Sequence, residues 1–167
     1  MELETLHDLF EHEIADLYSA EQQLVEALPK LAKAASHDEL RKAFEHHLDE
    51  TRDHVKRLEE IRESIGSSLS EKCEGMKGLI EEGEEIVEAK GDSAVKDAAL
   101  IAAAQRAEHY EIAAYGTART LADELDLSEA KELLDQTLDE ESNADTLLTK
   151  IATGGRLKSG VNQKAAS

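Results

Sequence analysis

Apolar residues along the N-terminal part of the chain recur every three or four positions, which is the spacing of one face of an α-helix. This pattern predicts a first helix over about residues 3–35, and Pro29 is expected to kink it because proline removes a backbone hydrogen bond. Ser36 and Glu39 have the spacing of a capping box, so a second helix is predicted over about residues 37–65. The two helices would form an antiparallel hairpin.

A second pair of helices is predicted after a long connection. Residues 66–92 are interrupted by glycines but hold enough apolar residues at helical spacing for one short amphipathic helix. Long helices are then predicted over about residues 93–124 and 129–152. Two hairpins joined by a long crossover are the connectivity of ferritin-like bundles, whereas an up-and-down bundle needs a short second loop.

The predicted fold class is therefore all-α, a ferritin-like four-helix bundle. The composition agrees, because the chain has one Pro, no Trp and only 3% aromatic residues, and it is rich in helix-forming residues. The bundle is predicted to occupy residues 1–153. Residues 154–167 contain small, polar and basic residues, and they are predicted to form a flexible C-terminal tail.

The chain is strongly acidic, with 38 Asp and Glu against 19 Lys and Arg and a formal net charge of -19. This charge would repel a phosphate backbone and an anionic membrane surface, so neither nucleic acid nor a membrane is an expected partner. The acidic excess has two interpretations that charge alone cannot separate. It solvates the helix faces, or it reflects a halophilic host with a salty cytoplasm.

Cysteine usage and the N-terminal residues bear on the compartment. Cys73 has no second cysteine to pair with, which excludes an intrachain disulfide and a zinc site built from several thiolates. The first ten residues lack the basic and apolar regions of a signal peptide, and no run of eighteen apolar residues occurs. We expect a soluble, cytoplasmic protein.

Each long helix carries charged residues at positions where its period calls for apolar ones. The positions in this register are Glu21 in the first helix, His47, Glu50 and His54 in the second, Glu108, Glu111 and Tyr115 in the third, and Glu141 and Asp145 in the fourth. A buried, unpaired carboxylate costs several kcal/mol, so these groups need a partner. Two divalent ions would supply it, and hard oxygen ligands suit iron or manganese better than copper. Alternatively, with 34% charged residues, some acids fall on such a stripe by chance and stay solvated.

Several stretches of the chain resemble the YciF-like family of ferritin-like stress proteins. The matching strings are DLYSAEQQL at 16–24, HLDET at 47–51, CEGMKGLIEEGEE at 73–85, DAALIAAAQRAEHYEIAAYGT at 97–117 and LLDQTLDEE at 133–141. The resemblance covers nearly the whole chain except the tail. It implies a cytoplasmic bacterial or archaeal homodimer that is linked to osmotic and other stresses and carries a di-metal centre.

The resemblance also implies a set of ligands. The four-helix carboxylate pattern of di-iron bundles matches four positions, with Glu111 as an additional bridge: Glu21, Glu50, Glu108 and Glu141. Such bundles carry Glu-x-x-His on two helices. Here Glu50 is followed by His54 at four residues, and Glu141 is followed at four residues by Asp145 rather than by a histidine. One imidazole is therefore expected, from His54 or its rival His47. An oxygen-rich site of this kind would favour manganese or weakly held iron.

Two functions from different classes follow. The first is a di-metal, carboxylate-bridged stress protein, an oxidoreductase that oxidises iron or reduces oxygen or peroxide, with Glu21 and Glu108 as bridges. Tyr18 or Tyr115 would then donate a proton or relay a radical, or simply pack in the core with its hydroxyl on a ligand carboxylate. The alternative is a non-catalytic dimeric scaffold on the same bundle. Mineral storage is less favoured because nothing in the sequence identifies shell-forming surfaces.

Overall fold

The computed structural model describes residues 3–155 and 158–167. The helices and strands in chain order are α1 (Leu6–Ala34), α2 (Asp38–Ser64), α3 (Glu74–Glu88), α4 (Ser93–Glu124), α5 (Ser128–Thr153), β1 (Gly154–Gly155), β2 (Lys158–Ser159) and α6 (Val161–Ala165). Four of the six helices in the described part of the chain are long, which confirms the predicted helical bundle. None of the described helices is both long and apolar enough to cross a membrane.

The four long helices are arranged as two hairpins. Helix α1 packs along α2 and α4 packs along α5, while α2 also faces α5 and α1 also faces α4. The crossover between the hairpins contains α3, which lies against α1 and α4. The predicted connectivity is thus the one observed. Pro29 lies inside α1, one turn before the helix ends at Ala34.

The start of α2 differs from the prediction. Its N-cap is His37, which makes no side-chain cap bond, so the capping box predicted from Ser36 is wrong. The carboxylate of Asp97 in α4 takes this role, because its two oxygens accept hydrogen bonds from the backbone N–H groups of Ser36 (2.8 Å) and His37 (2.9 Å). Asp97 is buried, and it joins the loop of the first hairpin to the second hairpin.

The chain after α5 packs back onto the bundle. Strands β1 and β2 pair antiparallel, and α6 then lies against α4 and α5. Val161 is only 1% exposed and joins the same apolar cluster as Leu148 and Ile151. The flexibility predicted for residues 154–167 stays a prediction, and residues 1, 2, 156 and 157 of the predicted segments lie outside the described residues.

The bundle core consists of two apolar clusters with a polar layer between them. One cluster includes Phe44, Leu100 and Leu148, and the other includes Phe10 and Ile61. The polar layer comprises the buried side chains of Glu21, His47, Thr51, His54, Glu108, Glu111, Thr137 and Glu141. The two clusters shield this layer along the bundle axis, so its charges are held away from bulk water.

Candidate metal centre

Helical spacing brings six ligand-type side chains into the polar layer. His47 and His54 are two turns apart on one face of α2, and Glu108 and Glu111 are one turn apart on α4. Helices α1 and α5 contribute one carboxylate each, from Glu21 and Glu141. All six residues are buried, and the most exposed of them, His47, shows only 5% of its surface.

A first group of ligand atoms comes from Glu21, His54 and Glu141. The Nδ1 atom of His54 lies 2.9 Å from Oε1 of Glu141 and 3.2 Å from Oε1 of Glu21. The hydroxyl of Tyr115 donates a hydrogen bond of 2.5 Å to Oε1 of Glu21. Tyr115 therefore fits the interpretation of a core tyrosine that supports a ligand carboxylate.

A second group comes from His47, Glu108, Glu111 and Glu141, whose ligand atoms lie within 4.8 Å of one another. The Nε2 atom of His47 lies 3.3 Å from Oε2 of Glu108 and 3.5 Å from Oε2 of Glu141. Glu141 belongs to both groups, with Oε1 beside His54 and Oε2 beside His47. Glu141 thus lies between the two groups, whereas the predicted bridges, Glu21 and Glu108, each belong to one group.

The outward-facing nitrogen of each histidine is held by a further carboxylate. Nδ1 of His47 lies 3.3 Å from Glu50, and Nε2 of His54 lies 2.9 Å from Glu140. Arg57 donates two hydrogen bonds to Glu140, of 2.6 and 3.0 Å. This arrangement leaves one ring nitrogen of each imidazole directed at the polar layer, as in metal sites where a carboxylate orients a histidine ligand.

Several buried polar atoms of the polar layer have no hydrogen-bond partner among the described residues. They are Oε2 of Glu21, Nδ1 of His54, Oε2 of Glu108, and both carboxylate oxygens of Glu111 and of Glu141. Some lie within ion-pair distance of a neighbour but lack the angles of a hydrogen bond. Each such atom costs about 1–3 kcal/mol when unsatisfied. Two divalent cations would neutralise four carboxylates beside neutral imidazoles, so the side chains fit a pair of such ions.

Burial and crowding shift the pKa values of these groups. Burial raises the pKa of Glu141 to about 7, against the lowering effect of His47 and His54. For Glu111, burial and the neighbouring carboxylates raise the pKa well above its usual value. Burial lowers the pKa of His54, but hydrogen bonds with Glu141 and Glu21 outweigh it and raise the value to about 10. Without a cation, protons therefore neutralise the cluster, and an incoming metal ion has to displace them.

The predicted ligands are not all brought together. The carboxylate of Glu50 lies outside both groups and contacts His46 and His47 instead. The Oδ1 atom of Asp145 accepts a hydrogen bond of 2.8 Å from Gln105 and lies 3.5 Å from Nε2 of His109. Both acids are partly exposed, so we leave them out of the proposed ligand set.

The histidines and tyrosines bear on two further predictions. A single imidazole was expected, from His54 or His47, whereas both side chains face the polar layer, and the number of imidazoles that bind metal stays a prediction. The helical register of His47 already indicated this, since it precedes Glu50 by three residues. Tyr18 lies at the surface, where its hydroxyl bonds Glu59 and its ring stacks under Arg62, so it has no contact that suits a relay. The contacts of Glu140 with His54 and Arg57 could not be predicted, because they join two helices and leave no pattern within either one.

The chain is similar in sequence and in structure to known proteins. The curated protein YciF of Escherichia coli (strain K12) is 46% identical over 167 residues, 99% of this chain and 98% of that protein. The crystal structure of the E. coli stress protein YciF matches with a TM-score of 0.83 and 47% identity, covering 89% of this chain and 94% of that chain. The structure of YcfI from Rhodopseudomonas palustris matches with a TM-score of 0.86 and 38% identity, covering 90% and 97%.

The family model described as "Domain of unknown function (DUF892)" matches residues 5–166. That range includes every residue of the polar layer and all six described helices in full. The resemblance inferred from the sequence is thus confirmed. The chain belongs to the DUF892 family and is a relative of the stress protein YciF.

Proposed function

We propose that this protein holds two iron or manganese ions in its polar layer and acts as a di-metal stress protein that oxidises iron or reduces oxygen or peroxide. The observation that carries the proposal is the pair of ligand groups that share Glu141. The unpartnered carboxylate oxygens of the same layer support it, because buried carboxylates without a hydrogen-bond partner are stabilised by a cation among them.

One ion would be held by His54, Glu21 and Glu141, and the other by His47, Glu108, Glu111 and the second oxygen of Glu141. Four glutamates and two histidines are the ligand inventory of the di-iron and di-manganese carboxylate bundles. Here the histidines both come from α2 rather than from two helices. When bound, such ions would supply Lewis acidity and redox chemistry.

The chain's own residues would prepare the site in three ways. The Glu140–Arg57 pair fixes the ring of His54, and Glu50 fixes the ring of His47. The hydroxyl of Tyr115 keeps its proton, because burial and the charge of Glu21 raise its pKa, and it donates that hydrogen bond to a ligand carboxylate. The apolar clusters exclude water on both sides of the layer.

Elemental analysis tests this proposal. Protein purified without chelator should retain close to two iron or manganese ions per chain. The variant Glu141→Ala should lose most of both ions, because Glu141 belongs to both groups, whereas Asp145→Ala should keep them. A chain that stays metal-free after reconstitution with Fe²⁺ and with Mn²⁺ would contradict the proposal.

The alternative is a dimeric scaffold that works by association. The R. palustris relative is described as "a putative structural protein", and this chain exposes the apolar side chains of Leu3, Leu6 and Val95. Bound metal separates the two functions, since a scaffold would show no difference in stability on adding either ion. In both cases we propose a homodimer, as the resemblance to the YciF-like family implies, and a cytoplasmic location, because Cys73 has no second cysteine for an intrachain disulfide.

A further inference from the structure

A cavity of about 100 Å³ lies between α2 and α5 and reaches the polar layer from one side. Its walls include Phe44 from α2 and Ala144 and Leu147 from α5. Leu147 is 40% exposed, so this wall is in contact with solvent. A space of this size holds several water molecules.

Polar side chains form a continuous line of contacts along this cavity. His46 lies 3.3 Å from Glu50, Glu50 lies 3.3 Å from His47, and His47 lies 3.3 Å from Glu108. The exposed fraction of these side chains falls in the same order, from 68% to 24%, 6% and 5%. The next carboxylate, Glu141, is fully buried. The line therefore runs from solvent to the ligand shared by both groups.

We propose that this cavity is the route by which a divalent cation enters the polar layer, with Glu50 as the first carboxylate that it meets on the way. The inference rests on the proposed function and names the path by which the centre is loaded. A carboxylate at the mouth of the cavity and the net charge of -19 attract cations and repel anions. The volume lets an ion enter with part of its hydration shell, and Glu108 with its unpartnered Oε2 is the next ligand inward.

A second cavity offers a contrast within the same bundle. It measures about 30 Å³, lies between α1, α3 and α4, and is lined by side chains such as Ala27, Leu31 and Ile80. None of its described lining residues belongs to the polar layer. Filling it should leave ion movement unchanged, which makes it a suitable control.

The test is to fill the cavity without touching a ligand. Ala144 is half-buried and helical, and leucine keeps helix propensity while adding bulk. Apoprotein is mixed with Fe²⁺ without oxygen, and a coloured ferrous chelator is added after increasing delays to count the iron that is still accessible. Loss of iron from the loaded protein is followed with excess chelator.

Ala144→Leu should slow uptake and loss by the same factor, about tenfold, and leave the affinity unchanged, because a blocked route changes rates only. Ala27→Leu should change neither rate.

A second variant tests the role of Glu50. Glu50→Gln keeps an oxygen that can accept from His47 but removes the charge, so uptake at low ionic strength should fall by about tenfold and depend less on salt. Glu60→Gln removes the same charge from an exposed position of α2 and should have little effect.

The outcomes separate this inference from the proposed function. Unchanged rates in Ala144→Leu, with two ions still bound, would overturn the route and leave the di-metal proposal standing. Reduced affinity at unchanged rates would also overturn it. Slower consumption of peroxide with normal uptake of iron would make the cavity an oxidant path and overturn its assignment to a cation. A wild-type protein that binds no iron would overturn both proposals.

Discussion

Glu141 belongs to both groups of ligand-type side chains in the polar layer. Its two oxygens face different histidines, and neither has a hydrogen-bond partner among the described residues. The neighbouring acids are equally crowded, so the apoprotein keeps protons where the metal ions would be. The number of protons that the folded apoprotein binds can be measured from the pH dependence of its stability, without any assumption about activity.

The stability of the apoprotein should depend on pH in a defined direction. The folded-state pKa of Glu141 is raised from 4.5 to about 7, and that of His54 from 6.5 to about 10. The folded chain thus binds more protons than the unfolded chain, so its free energy of unfolding falls as pH rises through these windows. Glu140, with its pKa lowered to about 2, acts in the opposite direction only below its unfolded value of 4.5.

Denaturant unfolding in the presence of a chelator checks this dependence. Stability should be greatest near about pH 5 and fall towards about pH 9 by an amount on the order of 5 kcal/mol. A free energy of unfolding that stays flat or rises over this range would contradict the burial of these groups in the apoprotein.

The support of His54 by Glu140 gives a second prediction. In Glu140→Gln the ring of His54 loses a charged partner, so the affinity of its metal group should fall by about 10- to 100-fold. The group at His47 should keep its affinity. Titration of the apoprotein with Mn²⁺ would show one weakened site of two. Asp139→Asn, a neighbouring exposed change, serves as the control, and equal weakening in it would refute the specific role of Glu140.

At the scale of helices, interactions between distant elements decide details that local sequence cannot show. The carboxylate of Asp97 binds two backbone N–H groups at the start of another helix. Asp92 caps its own helix by binding Ala94 and Val95 and is exposed. The two acids thus do similar work in different surroundings, which makes them a matched pair.

Replacing each acid by alanine should separate buried from exposed capping. Asp97→Ala should lower the free energy of unfolding by about 2 kcal/mol or more, because two N–H groups lose their partner in a shielded place. Asp92→Ala should cost about 1 kcal/mol. Metal content should stay unchanged in both. Equal losses in thermal or denaturant unfolding would mean that Asp97 acts only as a local cap.

The difference between signals within one helix and contacts between helices explains how much of the structure the sequence could predict. Apolar periodicity predicted all four long helices and the crossover helix, with ends close to those observed, since this signal lies within each helix. It also placed Glu21, Glu108 and Glu141 correctly on the inward side, because their register follows from neighbouring leucines and alanines. Whether those three form a metal centre stays a prediction.

Other side chains depended on the rotation of one helix against the next. Asp145 fits the inward stripe by spacing but contacts Gln105 and His109 at the side of the bundle. Glu140 and Arg57 meet across α2 and α5, and no spacing within either helix encodes that contact. The periodicity of a single helix fixes a face only to within about one position in either direction.

At the scale of the whole molecule, two apolar clusters hold a charged layer between them. The layer connects the two hairpins, since its side chains come from α1, α2, α4 and α5. Ions at this place would join the hairpins to each other, whereas repulsion between acids would push them apart. Metal binding should therefore stabilise the entire fold.

Chelator treatment measures this effect. An ion at about 100 times its dissociation constant adds about 2.7 kcal/mol, which in a chain of this size raises the melting temperature by about 5–10 °C. Wild-type protein should lose this increment when chelator is added. Glu141→Ala should melt at the same temperature with and without chelator. A wild-type melting temperature that is indifferent to chelator would contradict the idea that ions join the hairpins.

The two imidazoles of the polar layer both come from α2, whereas α1, α4 and α5 supply only oxygen atoms to the two groups. The side chains of α2 would thus decide which metal the site prefers. Imidazole favours transition metals, whereas carboxylates alone favour magnesium or calcium. A relative that replaced His47 and His54 by asparagine or glutamate could keep the other three helices unchanged. It would present an all-oxygen pocket suited to a redox-inert cation, so a change of chemistry would require substitutions on only a single face of α2.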